Sequence, residues 1–217
     1  MPADTDPIAT VYVVDDDPLM RSSLKFQLEP AGYEVRCFAA SGEFLRAAAE
    51  LVPGLLILDV RMPELDGLAL QERLNREKLD FPTIMITGHG EVEMAVRAMK
   101  AGAVDFVEKP FARQTILDSV RLAQQRLHKP PAAAAVSQAA AARLALLSKR
   151  EYEVLEWLVA GLTNKMIARR LALSPRTVEN HRARIMEKMR AGSLSELVRL
   201  ALAGGVAANG GAVARQG

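Results

Sequence analysis

Asp15 and Asp16 close one short apolar run, Asp59 closes another, Thr87 a third, and Lys109 follows a fourth. Three carboxylates brought into one pocket repel each other unless a cation sits among them. Hard oxygen ligands of this kind suit Mg²⁺, which takes one or two carboxylates and fills its shell with water or phosphate oxygens. A threonine hydroxyl can donate to a phosphoryl oxygen, and a lysine ammonium supplies a point positive charge. Together the five residues accommodate a phosphoryl group on a carboxylate, with metal on one side, Lys109 on the other and Thr87 between them. Catalysis of such a transfer is mainly positioning and electrostatic stabilisation. Each residue also has a plainer reading, since Asp after a strand is a common helix N-cap and Lys109 could be a surface lysine. Only the set, in this order, carries the chemistry.

Positioning that set requires strands. Thr10–Val14, Leu55–Leu58, Pro82–Ile86 and Ala103–Val107 are short runs rich in Val, Ile, Leu and Ala, with a weaker one at Tyr33–Phe38. Runs buried on both faces suit a parallel sheet. Helical stretches near 18–31, 42–50, 65–76, 91–100 and 113–127 separate and follow them, so five βα units predict a doubly wound α/β domain. Ligands of such sheets bind outside the carboxyl ends of the strands. In the flavodoxin-like strand order, the first and third strands are neighbours, which brings Asp15, Asp16 and Asp59 together.

The pattern changes after residue 128. Lys129-Pro130-Pro131 stops the fifth helix. Residues 129–143, rich in Pro and Ala, read as a linker, although that much alanine could also extend a helix. From Leu144 the signals are helical. Ser148–Glu151 and Ser193–Glu196 are capping boxes, and Ser174-Pro175 puts an N-cap before a proline at the first helical position. Helices are expected near 149–159, 164–171, 175–189 and 194–203, with a Gly- and Ala-rich tail at 205–217. The short Ala172-Leu173-Ser174 turn between the second and third of these fits a helix-turn-helix. In the helix 175–189, Val178, His181, Arg182, Ile185 and Met189 share one side, and Arg176, Asn180, Ala183, Arg184, Glu187 and Arg190 the other. Asn180 can bond adenine, Ala183 can touch a thymine methyl, and Arg176, Arg184 and Arg190 can meet phosphate or guanine. Lys165, Arg169 and Arg170 on the preceding helix are candidate backbone contacts.

Charge follows the same division. Residues 1–142 carry 15 Lys/Arg and 20 Asp/Glu, whereas residues 143–217 carry 13 and 6. An acidic front and a basic back suit a metal or regulatory site in one and nucleic acid in the other. The single cysteine, Cys37, excludes an internal disulfide and fits a reducing cytosol. No apolar run approaches the roughly 18 residues of a membrane span, and the first residues lack a signal-peptide pattern, so a cytoplasmic location is expected.

The segments VVDDDP (13–18), LILDVRMPELDG (56–67), MITGHGEVEMAVRAMKAGA (85–103) and DFVEKPF (105–111) resemble a bacterial receiver domain. LSKREYEVLEWLVAGLTNKMIARRLALSPRTVENHRARIMEKM (147–189) resembles a LuxR-type DNA-binding domain. The chain is thus similar to two-component response regulators of the FixJ/LuxR (NarL) family. The resemblance implies a receiver at 8–128, a linker at 129–143, a four-helix LuxR-type helix-turn-helix domain at 144–204 and a flexible tail. It makes Asp59 the phospho-acceptor, Asp16 a direct metal ligand, Asp15 a ligand through water, and the Arg61 carbonyl a further ligand. Thr87 and Lys109 would contact the phosphoryl group. Asp17 receives no essential role. Phe106 stands where many relatives have Tyr, so a switch at this ring cannot use a hydroxyl. The Lys109–Pro110 bond is expected to be cis. In the second domain Lys165, Arg169, Arg176, Thr177, Glu179, Asn180, Ala183 and Arg184 are the expected DNA contacts, and Trp157 belongs to the core. His89 is read as a loop residue without a catalytic task. The implied partners are a sensor histidine kinase and promoter DNA, with RNA polymerase a further candidate and homodimerisation on phosphorylation. The segment 91–107 is the expected dimer face. An Mg²⁺-dependent phosphohydrolase is the enzymatic alternative, but there is no GxxxxGK(S/T) loop and no substrate-binding cap, so no enzyme is expected. A DNA-binding protein indifferent to phosphorylation is the other alternative.

Overall fold

The computed structural model describes residues 9–88, 92–128 and 133–206; His89, the Pro130-Pro131 pair and the end of the tail lie outside the described residues. The chain divides into two compact units, Met1–His89 with Ala101–Pro130, and Gly90–Lys100 with Pro131–Gly217.

The first unit is built on a sheet of five parallel strands: β1 (Thr10–Val14), β2 (Glu34–Phe38), β3 (Gly54–Asp59), β4 (Thr83–Thr87) and β5 (Asp105–Glu108). Their order is β2-β1-β3-β4-β5, as the flavodoxin-like reading expects. β1, β3 and β4 are buried along their whole length, which is why they read as unbroken apolar runs. The edge strand β2 buries only Val35 fully and exposes Glu34, Arg36 and Cys37, which weakens its signal. Helices α1 (Pro18–Leu28), α2 (Ser41–Ala48), α3 (Gly67–Glu77) and α5 (Arg113–His128) complete this unit. Val11, Val13, Ile57, Ile84 and Ile86 pack with Leu24 and Leu28 of α1 and with Ile116 and Val120 of α5. Tyr12 meets Phe44 of α2, and Phe44 meets Phe38 and Phe81, in tilted or edge-on ring contacts.

The second unit contains α4 (Val92–Lys100), α6 (Ala133–Leu144), α7 (Lys149–Val159), α8 (Asn164–Leu171), α9 (Pro175–Met189) and α10 (Leu194–Ala203). The last four have the bounds that capping predicts. The Ser148–Glu151 box is complete in both directions, and Ser174 and Ser193 accept N–H bonds from Thr177 and Glu196. The alanine-rich stretch is largely helix α6, with Ala140 buried, so of the two conformations open to it the high helix propensity of alanine selects the helix. Val154, Leu155, Leu158, Ile167, Val178, Ile185, Met189, Leu197 and Ala201 form one core, with Trp157 packed against it.

A candidate phosphorylation site and a candidate nucleic-acid interface

Parallel pairing sets Val14 of β1 beside Leu58 of β3, so Asp15, which follows β1, and Asp59, the last residue of β3, lie side by side. Asp15 and Asp59 are buried and Asp16 is exposed; one ligand oxygen from each lies within 4.8 Å of the others. This donor set, all carboxylate oxygen, fits a hard divalent cation. Lys109 leaves the end of β5 and places its Nζ 2.9 Å from Asp15 Oδ2 and 3.0 Å from Asp59 Oδ1. Lys109 is therefore tied directly to two of the three carboxylates. Burial raises the pKa of Asp59, and the neighbouring Asp15 and Asp16 add to the rise, while Lys109 opposes it. Burial alone would lower the Lys109 pKa, but the two carboxylates together hold it above its ordinary value.

Backbone geometry sharpens the pocket. Thr87 is fully buried at the end of β4, and its carbonyl accepts the Lys109 N–H at 2.7 Å. The Lys109–Pro110 peptide is cis, as expected. Asp17 caps α1 by accepting from Leu19 N at 2.8 Å, and its own N–H donates to Asp15 Oδ1 at 2.8 Å. Arg21, which the sequence did not single out, donates to the carbonyls of Asp15 at 2.6 Å and Asp16 at 3.0 Å. Its spacing one turn into α1 is the signal that was available. Arg61 is exposed two residues beyond Asp59, on the loop into α3, and Phe106 is half-buried on β5. Gly67, the first residue of α3, lies so close to β3 that a Cβ there would collide with the Asp59 carbonyl oxygen.

The helix-turn-helix forms from α8 and α9. Ala172 caps α8 in the left-handed region at φ 52°, and Leu173 N donates back to Ala168 O at 2.8 Å, closing the turn. On α9, Val178, Ile185 and Met189 are buried, and His181 and Arg182 half-buried. Arg182 donates to Asn164 Oδ1 at 2.7 Å, and burial lowers its pKa. Arg176, Glu179, Asn180, Ala183 and Arg184 are exposed, as are Lys165 and Arg169 on α8; Thr177 is half-buried. Arg170 places its guanidinium 4.6 Å from the centre of the Trp157 ring, so it has a structural partner besides any phosphate.

A doubly wound domain with this carboxylate–lysine pocket, joined to a helix-turn-helix domain, defines a class that comparison makes explicit. A model of the response regulator receiver domain matches residues 11–121, and one of the LuxR family of bacterial regulatory proteins matches residues 145–201; the chain belongs to the response regulators. Within them it is FixJ-like. The transcriptional regulatory protein FixJ of Bradyrhizobium diazoefficiens is 48% identical over 196 residues, spanning 90% of this chain and 96% of that protein. FixJ of Rhizobium meliloti is also 48% identical, with the same coverage. The structure of full-length FixJ from B. japonicum matches with a TM-score of 0.55 at 48% identity, over 92% of this chain and 98% of that one. The response regulator StyR matches with a TM-score of 0.54 at 39% identity, over 90% and 99%. These relatives are regulators of transcription or response regulators by name. Among the described residues no helix is long and apolar enough to cross a membrane.

Proposed function

We propose that a sensor histidine kinase transfers a phosphoryl group to Asp59 and that this modification controls sequence-specific DNA binding by α9. The observation that supports it best is the meeting of Asp15, Asp16, Asp59 and Lys109 in one pocket of a response-regulator receiver. Asp15, Asp16, Asp59 and the Arg61 carbonyl would hold Mg²⁺, which neutralises charge on the transferring phosphoryl oxygens when bound. Lys109 pairs with the phosphoryl group in place of one carboxylate, and the Thr87 hydroxyl donates to it. Buried Asp59 offers an oxygen nucleophile fixed by β3. The product carries up to about −2 charge and strong acceptor oxygens. Thr87 and Phe106 would respond to it, with Phe106 acting through ring position alone. Homodimerisation then pairs two DNA-binding domains on two half-sites. Arg176, Thr177, Glu179, Asn180, Ala183 and Arg184 would read or hold the DNA, with Lys165 and Arg169 on backbone phosphates; RNA polymerase is the candidate partner there. Incubation with acetyl phosphate and Mg²⁺ should add one phosphate to the intact mass of the wild type and none to Asp59→Asn. Uptake by the Asn variant would refute the assignment.

A further inference from the structure

Polar contacts grip the two helices of the helix-turn-helix, and two of them come from adjacent residues in the first turn of α7. Glu151 is buried, yet its Oε2 accepts both the Ser148 N–H at 2.7 Å and the Lys188 ammonium at 2.7 Å. One carboxylate therefore caps α7 and holds the last turn of α9. Arg150 donates from Nη2 to the Leu171 carbonyl, the last residue of α8, and from Nη1 to Glu153 Oε2 at 2.7 Å. The C-terminal end of α9 has a further anchor, since Arg143 of α6 donates to the Met189 carbonyl at 3.0 Å. Each anchor is a charged side chain on a helix end, where the partner groups lack an intrahelical bond or, for Lys188, favour the negative end of the dipole.

Lys188 separates two readings. It lies on α9 near Arg184 and could be one more phosphate contact. Its side chain is 37% exposed, but its ammonium is committed to a carboxylate that is itself 4% exposed. An ammonium bound this way is not presented to solvent as a free charge, and breaking the pair would leave Glu151 buried without its countercharge.

We propose that Arg150 and Glu151 are positioning residues for DNA recognition: the first turn of α7 fixes where α8 ends and how α9 is presented, through Leu171 and Lys188. The proposal rests on the reading of α9 as the recognition helix. Misplacing such a helix weakens its base contacts together, while the side chains assigned to phosphate, on α8 and α9, are all still present.

The test uses the full chain and a duplex that the phosphorylated wild type enriches from a random-sequence pool. Glu151→Gln and Lys188→Met should each bind it about tenfold more weakly, the size expected for a lost charge-assisted hydrogen bond. The double variant should be no weaker than either single one. The slope of log affinity against log salt should stay at the wild-type value in all three, because no phosphate contact is lost. Should Glu151→Gln fail to fold, Lys188→Met decides alone, since it leaves the Ser148–Glu151 box in place. A slope lowered by about one in Lys188→Met would make Lys188 a phosphate contact and overturn the proposal. Unchanged affinity in Lys188→Met would overturn it as well. If the wild type enriches no duplex, the recognition-helix reading falls, and the clamp with it.

Discussion

The Lys109 ammonium lies between two carboxylates of the candidate site, 2.9 Å from Asp15 Oδ2 and 3.0 Å from Asp59 Oδ1. The residue types and their places at strand ends were legible, because β1, β3 and β4 are buried throughout and end sharply on polar residues. The double ion pair was not, because nothing in the spacing of residues 15, 59 and 109 says which oxygen the ammonium meets. Its consequence is competition. The Lys109 ammonium holds Asp15 and Asp59, two of the three carboxylates that a divalent cation would use. Removing one positive charge at that distance, partly screened, is worth on the order of 1–2 kcal/mol. Lys109→Met should therefore bind Mg²⁺ about tenfold more tightly by calorimetric titration. The same variant should take up phosphate from acetyl phosphate more slowly, since the phosphoryl group loses its countercharge. Unchanged Mg²⁺ affinity would show that the ion pair does not oppose the metal.

Two junctions between elements position the candidate sites. The first is β3 to α3. Gly67 begins α3 against the backbone of Asp59, and its N–H donates to Val60 O at 3.0 Å. Gly67→Ala would force a methyl into the carbonyl of the proposed acceptor, an overpacking cost of about 1–3 kcal/mol. It should lower the thermal midpoint of the receiver and slow phosphorylation; a variant equal to the wild type in both would show that the loop yields freely. The second junction is α7 to α9. The Glu151 carboxyl is held down to about 2, first by the Lys188 ammonium and then, against burial, by Ser148. A carboxyl depressed in the folded state stabilises above its ordinary value of 4.5, and that contribution is lost as pH falls towards about 2. Denaturation midpoints of the wild type should fall across that window, and those of Glu151→Gln should change less there. Parallel profiles would contradict the pairing. The capping box was legible, being local; the Lys188 bond, 37 residues away, was not. Helix α6 was legible only as an alternative, because a run of alanines signals helix propensity and lacks an apolar stripe to mark burial.

Over the whole molecule, the acidic front and basic back of the sequence correspond to two matched domains, a receiver and a LuxR-type DNA-binding module. That division was plain in the sequence, because charge balance and hydrophobic period change together after residue 128. What the one does to the other is a matter of coupling free energy: phosphorylation shifts DNA binding only as far as the phosphorylated form prefers the binding-competent state. A preference of about 1.4 kcal/mol gives a tenfold change in affinity. The direct measurement is DNA affinity, on a duplex selected by the wild type, with and without acetyl phosphate and Mg²⁺, in the wild type and in Asp59→Asn. Phosphorylation should tighten binding by about tenfold or more in the wild type and leave Asp59→Asn unchanged. Equal affinities for the phosphorylated and unphosphorylated wild type, or the same tightening in Asp59→Asn, would contradict it.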